Sequence, residues 1–356
     1  MEAATPLKKR TNRHMASVNF DGALTLRDVA ASLDKKNATR LFIDMMQARH
    51  DLFDDMINLA CNEGRSHVVN YRTGLPKATW TRLYGGVESS KGSEATARIT
   101  VAELESKLEL DKRILNRYPD VNARITREVA SHVDAIVLNY VKGMLYGSKK
   151  LNPDGFNGLA TIYAECGGTN PFEIAFNCIS AGGAEGDSLG SIYLVGHGAE
   201  GFANLYPQGH KSAGVEVGKM KEVDVHEAGS TSKTYEAMVQ YFSMSGAPFV
   251  ADWRKCGRLC DIKRGVTATG TDLIAEANKF FDNINRLTTR VDEKGVRQNL
   301  YMDKGVLEVV KIYASALTRA NAVKEEDIQG KKVTTLNGIP VRINDAQYVD
   351  ELRVAK

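Results

Sequence analysis

The stretch from Pro119 to Gly147 constrains the fold of this chain more than any other. Val121, Ile125, Val129, Val133, Ile136, Tyr140 and Met144 recur three or four residues apart, so they share one slowly turning stripe of an α-helix. Asn122, Arg124, Arg127, Glu128, Ser131, Asp134, Asn139 and Lys142 fill the polar remainder. Pro119 suits a first helical position, Asp120 the positive end of the helix, and Gly147 a stop, with Lys149 and Lys150 beyond it. At 1.5 Å per residue such a helix is roughly 40 Å long, well beyond the usual three or four turns. It is either one long member of an α-rich core or a girder along which an extended subunit is laid out.

A chain of 356 residues can bury one large core or two ordinary ones. No apolar run is long enough to span a bilayer, and the N-terminal residues lack the apolar core of a secretory signal, so no membrane contact is expected. A net charge of +3 argues against a dedicated nucleic-acid binder. The cysteines Cys61, Cys166, Cys178, Cys256 and Cys260 are odd in number and scattered, the usage of reduced thiols in a cytosol. Cys256 and Cys260 could face one another on a helix turn or share a strand face, but only distant histidines could complete a metal site there. No metal and no cofactor is expected.

Residues up to about Arg40 read as an arm. Lys8, Lys9, Arg10 and Arg13 form a basic cluster, either a solvated tail or a contact for a phosphate backbone, and Thr25 with Asp28 can cap a short helix to Leu33. From Thr39 an amphipathic helix follows, with Leu41, Met45, Ala48, Leu52, Met56 and Leu59 on one face and a stop at Gly64. The period then changes to two. His67–Arg72 and Ala78–Tyr84 read as strands joined by Thr73-Gly-Leu-Pro76, with a polar return loop at 88–94. Two strands alone are marginal in water, so Tyr71, Trp80 and Tyr84 need a covering surface, from this subunit's core or from a neighbour. With Arg72, Leu75 and Arg82 they form the candidate inter-subunit contact.

Ile99–Leu110 reads as a strand leading into a short helix before the long one. Ile192–Val195 is a compact apolar strand, Tyr206–Gly209 a turn, and Val215–Val225, Tyr235–Phe242 and Phe249–Ile262 favour β structure. Helices follow at Asp272–Leu287 and Val306–Leu317, with a short strand at Leu300–Met302 between them. Val333–Leu336 and Ile339–Ile343 flank Asn337-Gly338, a strong hairpin signal, and Pro340 confines the second strand to an edge or an end. Gly196-His-Gly-Ala-Glu-Gly201 matches the dinucleotide fingerprint literally. The fingerprint needs a helix that starts in the glycines to hold pyrophosphate, and too few residues separate Gly201 from Pro207 for one. His197, His210 and His226 read as polar surface residues of turns. With no nucleophile elbow, phosphate loop or zinc-protease helix present, nothing points to an enzyme.

Five stretches together resemble the major capsid proteins of tailed bacteriophages, in particular a family from short-tailed phages. They are Asn152–Leu159, Ser191–Gly198, Leu205–Val215, Ala251–Arg254 and Leu336–Asp345, in that order. The helix at Thr39 and the hairpin at Tyr71–Pro76 extend the likeness, which fades before Arg40 and over Gly229–Gly246.

The resemblance implies an α+β, Hong Kong 97-like capsid fold. Its parts would be an N-terminal arm with the amphipathic helix (1–63), an extended hairpin loop (64–93), a peripheral domain on the spine helix 119–147 (94–262), and an axial domain with a C-terminal hairpin (263–356). Because the strand-rich segment Ser191–Ile262 comes first, a rewired connectivity is expected, with peripheral β elements before the axial domain. The implied function is a structural virion protein that self-assembles as hexamers and pentamers into an icosahedral shell around double-stranded DNA, in the host bacterial cytoplasm. Implied partners are a portal protein, a scaffolding protein, decoration proteins, and non-specific DNA contact on the inner face through Lys8, Lys9, Arg10 and Arg13. No bulky helical segment precedes the arm, so proteolytic maturation is not expected. Lys91 is the one lysine placed for an inter-subunit crosslink, without a visible partner. A tail or connector protein and a nucleotide-binding cytosolic enzyme are the alternative readings.

Overall fold

The structure, a computed structural model, describes residues 24–34, 37–226, 229, 232–317, 323–328, 331–348 and 350–354. Lys8, Lys9, Arg10 and Arg13 lie outside the described residues. A short strand β1 (Leu24–Thr25) leads into α1 (Leu26–Ser32). Here the Asp28 amide donates to Thr25 Oγ1 at 3.2 Å and the Thr25 amide to Asp28 Oδ2 at 3.1 Å, the expected capping box.

The next helix is shorter than its periodicity suggests. It is divided into α2 (Ala38–Arg49) and α3 (Leu52–Asp55), and a strand β2 (Ile57–Ala60) follows well before Gly64. His50 breaks it: the residue is extended and buried, its Nδ1 accepts from the Leu52 amide at 3.1 Å, and its Nε2 lies 3.0 Å from Asn344 Oδ1. The buried face of α2 is Phe42, Ile43 and Met46, while Leu41 is exposed. Adjacent apolar stripes run along this helix, and only the docking partner decides which one turns inward. Phe42 stacks on Phe242 with ring centroids 5.5 Å apart.

Two strands, β3 (Ser66–Gly74) and β4 (Ser93–Thr100), form a separate antiparallel hairpin. A long strand β5 (Ala102–Asp111) then runs into α4 (Lys112–Leu115) and the spine helix α5 (Val121–Tyr146). Asp120 caps α5, its Oδ1 accepting from the Ala123 amide at 3.0 Å, so Pro119 stands just before the cap and not at the first helical position. Val133, Ile136, Val137, Tyr140, Val141, Met144 and Leu145 are buried, whereas Val121, Ile125 and Val129 are only half covered. Gly147 ends the helix with its amide on Gly143 O at 2.7 Å, at a negative φ. A Cβ there would lie 2.4 Å from Phe156 O, so glycine is needed for close approach: residues 152–158 fold back over the helix end and seat Phe156 against Tyr140.

The rest of the chain builds a mixed sheet. After α6 (Leu159–Ile162) come β6 (Cys178–Ser180), β7 (Leu189–His197), β8 (Phe202–Tyr206), β9 (Val215–Val217), β10 (Lys221–His226), β11 (Thr234–Val250) and β12 (Cys256–Lys263). The C-terminal third adds α7 (Gly270–Arg290), β13 (Arg297–Met302), α8 (Lys304–Ala316), β14 (Val323–Ile328), β15 (Lys331–Leu336) and β16 (Ile339–Ile343). β7 lies between β12 and β13, both antiparallel to it, and the sheet continues through β16, β15 and β14. Every residue of β7 is buried because both faces are covered. Tyr193 and Val195 join the core around the spine helix, while Ile192 and Leu194 join a second core under α7 and α8.

At ~3.3 Å per residue β11 spans roughly 55 Å. It pairs in turn with β10, β5, β9 and β8, linking the spine-helix region to the β7 sheet. A cut between residues 262 and 263 would sever paired strands, because β7 is bonded to β12 on one side and β13 on the other. Pro340 sits at the hairpin end of β16 and pairs with Thr335, while residues 341–343 pair with β13. Asn337 and Gly338 both take positive φ, as the Asn-Gly turn requires. Cys256 and Cys260 share β12, but four residues of strand separate them by roughly 13 Å, too far for one ion.

Candidate assembly surfaces

The hairpin β3–β4 projects from the sheet on a well-anchored base. Val69 and Ile99 pack against the small core of Cys61, Val101, Ala203, Leu205, Ala247 and Phe249, and the His67 ring lies 5.2 Å from that of Phe249. Asn62 brackets Val68, accepting from its amide and donating to its carbonyl, each at 2.8 Å. Ion pairs Arg98–Glu63 (2.8 Å) and Arg65–Glu103 (2.7 Å) flank it. Tyr71 belongs to this base: it is half-buried, its hydroxyl donates to Val250 O at 3.1 Å, and burial pushes its pKa up.

Beyond Gly74 the hairpin opens into a tip, residues 75–92, without strand structure. This corrects the strand expected at Ala78–Tyr84: the partner of β3 is the polar β4, and among the described residues Ala78–Tyr84 has no strand beside it to take its backbone hydrogen bonds. Two local bonds shape the tip, Ser90 Oγ to Lys77 O at 3.0 Å and the Gly85 amide to Arg82 O at 2.9 Å. Tyr84 holds a left-handed φ of 64°, which is costly for an aromatic residue. Trp80 and Tyr84 are fully exposed, and Leu75, Leu83 and Val87 largely so. Arg82 is exposed among them, whereas Arg72 contributes a backbone pairing with Glu94 and its side chain lies outside the described residues. The six expected contact residues therefore separate. Leu75, Trp80, Arg82 and Tyr84 share one exposed tip, and Tyr71 anchors the base.

Uncovered aromatic and aliphatic side chains thus cluster on a thin projection. A chain of side-chain hydrogen bonds runs through the body behind it. Tyr140 of α5 donates to Asn204 Oδ1 at 2.6 Å, Asn204 donates to Asn58 Oδ1 at 2.9 Å, and Asn58 donates to Leu24 O at 3.3 Å. This buried chain ties the spine helix to β8, β2 and β1.

The glycine fingerprint does something other than hold phosphate. β7 ends at His197, a tight turn follows in which the Gly201 amide meets Gly198 O at 3.0 Å, and β8 begins at once, with no helix. A Cβ on Gly196 would lie 2.6 Å from Lys255 O, and one on Gly201 would lie 2.2 Å from Gly196 O. The glycines permit backbone crowding. His197 is not a surface residue: it is buried, with Nε2 2.9 Å from Tyr301 Oη, and burial pushes its pKa down to about 4. Tyr301 donates in turn to Asp55 Oδ2 at 2.9 Å, and the Asp55 carboxylate also receives Arg342 at 3.0 and 3.1 Å and Arg297. No sequence spacing links residues 55, 197, 301 and 342. His210 stays near the surface, 3.1 Å from Glu216 Oε1, and His226 is exposed. Among the described residues no helix is long and apolar enough to cross a membrane.

The family model described as "Major capsid protein GP7" matches residues 34–355. A chain of the bacteriophage Epsilon15 structure superposes with a TM-score of 0.60 at 21% identity, over 85% of this chain and 88% of that one. The bacteriophage JBD30 capsid gives a TM-score of 0.47 at 10% identity, over 89% and 97%. The capsid of the native GTA particle gives 0.41 at 10%, over 59% and 89%. No curated protein matches the chain. The Epsilon15 likeness, at that identity, establishes the fold.

Proposed function

This chain belongs to the major capsid protein GP7 family and forms the shell of a phage virion, and from that premise we propose that its copies associate as hexamers and pentamers into an icosahedral head around double-stranded DNA. The observation that carries the proposal is the exposed tip at 75–92. Trp80, Leu83 and Tyr84 stand exposed among the described residues, and the hairpin base, anchored through Tyr71, holds them out toward a neighbour. Contacts in which a projection of one copy covers a different surface of the next are heterologous, and they close into rings and shells when curvature allows.

In this reading the peripheral domain, residues 94–262, is built on the spine helix and precedes the axial domain, residues 263–356, and the pairing of β7 with β13 joins the two. The protein's role is mechanical and non-enzymatic, exercised in the virion shell after assembly in the host cytoplasm. At +3 per copy, a few hundred copies carry on the order of a thousand charges, against roughly tens of thousands of phosphates in a packaged duplex. DNA contact is therefore local and non-specific, through Lys8, Lys9, Arg10 and Arg13 on the inner face. A portal, a scaffolding protein and decoration proteins complete the partners in this reading.

The test is to express the chain, fractionate it by sedimentation and image the fast fractions by negative-stain electron microscopy. Closed shells, or hexamers and pentamers with polyheads, are the expected products. The triple variant Trp80→Ser, Leu83→Ser, Tyr84→Ser should remain as folded, slowly sedimenting subunits. Rings or tubes from the wild type, or shells from the triple variant, would overturn the reading.

A further inference from the structure

Three of the five thiols converge in space although no spacing in the chain brings them together. Cys166 follows α6, Cys178 opens β6 and Cys260 lies in β12, and all three are buried. The parallel pairing of β6 with β12 sets Cys178 opposite Arg258 and Ser180 opposite Cys260, which leaves Cys178 Sγ 4.0 Å from Cys260 Sγ. Cys166 Sγ, Cys260 Sγ and a carboxylate oxygen of Asp261 all lie within 4.8 Å of one another.

Asp261 is the unusual member. In a regular strand its side chain would leave the sheet on the face opposite to Cys260. The register of β12 against β7 shifts between Leu259 and Ile262, and Asp261 takes a left-handed φ of 56°. This bulge brings its carboxylate to Cys260, with Oδ2 3.6 Å from Sγ. Left-handed backbone is costly at a non-glycine residue. The carboxylate is buried, and its other partners are neutral donors, the Ser180 hydroxyl at 2.6 Å and the Val354 amide at 2.9 Å. No lysine or arginine forms an ion pair with it among the described residues. A buried carboxylate beside thiols, strained into place and lacking a paired cation, is the complement of a bound cation.

We propose that Cys166, Cys260 and Asp261 bind a thiophilic divalent cation of the zinc class. A tetrahedral ion with Zn–S bonds of about 2.3 Å and Zn–O bonds of about 2.0 Å sets its donors about 3.8 Å (S–S) and 3.5 Å (S–O) apart. The observed separation of 3.6 Å for Cys260–Asp261 matches, and Cys166 Sγ lies within 4.8 Å of both. Thiol donors select zinc over magnesium or calcium. Each thiol that binds releases its proton to solvent. Ser180 and the Val354 amide hold the carboxylate in orientation, so the ion ties the C-terminal segment to β12. Its role is structural.

The experiment uses the full-length chain, purified in a metal-free reductant, and reads metal content and Co²⁺ spectra. One equivalent of Zn²⁺ should survive dialysis. One equivalent of Co²⁺ should give the sulfur-to-cobalt charge-transfer band and the intense visible bands of a tetrahedral thiolate site, both lost on adding Zn²⁺. Cys166→Ser and Cys260→Ser should lose the charge-transfer band, while Cys61→Ser, a buried thiol in another core, should keep it. Asp261→Asn preserves volume and should lose stoichiometric Zn²⁺ while remaining folded, which guards against cysteine variants that fail to fold. A folded wild-type chain with neither retained Zn²⁺ nor a charge-transfer band would overturn the proposal. So would a band that persists in the Cys166→Ser, Cys260→Ser double variant.

Discussion

At the scale of single residues, the side chains that matter most are polar and buried. Arg258 and Glu351 each expose only 5% of their side chains and meet at 2.8 Å. Glu351 also accepts from the hydroxyls of Tyr146 and Ser191, which ties the C-terminal segment to the spine helix and β7. Replacing Arg258 by Met leaves that carboxylate buried without its cation and should destabilise the subunit by about 3–5 kcal/mol. The double variant Arg258→Met, Glu351→Leu should recover part of the loss, and chemical denaturation of both measures the difference. His197 makes a pH prediction. Its folded pKa, about 4, lies below the ordinary 6.5, so between those values the unfolded chain binds a proton that the folded chain does not. Stability contributed by neutral His197 is therefore full above pH 6.5, falls as pH drops toward 4, and amounts to roughly 3 kcal/mol. In His197→Gln the slope of melting temperature against pH over this window should flatten. None of these partners was legible in the sequence, where His197 reads as a turn residue, because contacts between residues 93 or more positions apart leave no periodic trace.

At the scale of elements, periodicity served well where one face meets one partner. The spine helix, the strand and short helix before it, the two late helices and the Asn337-Gly338 hairpin stand where local pattern and turn chemistry put them. It failed where two apolar stripes lie side by side, as in α2, and where an extended segment has no partner, as at 78–84. The tip is held mainly by two local bonds and the hairpin base by packing, ion pairs and Asn62. Brief trypsin treatment of free subunits should therefore cut first at Lys77, Arg82 or Lys91, leaving the two flanking pieces associated. In assembled particles the same sites should be protected, and mass spectrometry of the nicked products reads both outcomes.

At the scale of the whole molecule, β7 is shared by two cores, and this makes the subunit one mechanical body. Leu194 faces the core under α7 and α8, whereas Trp253 packs on the core around the spine helix. Leu194→Ala should cost about 2–5 kcal/mol. In a Trp80→Phe background the transition reported by Trp253 fluorescence should shift by the full amount. A Trp253 transition that stays in place would show that the cores unfold separately. What the sequence by itself determined is what short-range physics writes into it: a helix too long for an ordinary core, its Asp120 cap, the capping box at Thr25, the Asn-Gly turn, and aromatics on a projecting hairpin. The capsid resemblance rests on short stretches of that kind. Only the tertiary structure decided which stripe of α2 turned inward, which strand returned beside β3, and how β7 came to serve two cores. It alone brought Asp55 to Arg342 and Cys166 to Asp261. Burial and strand pairing act between segments far apart in the chain, and their outcome is set by the packing of the whole.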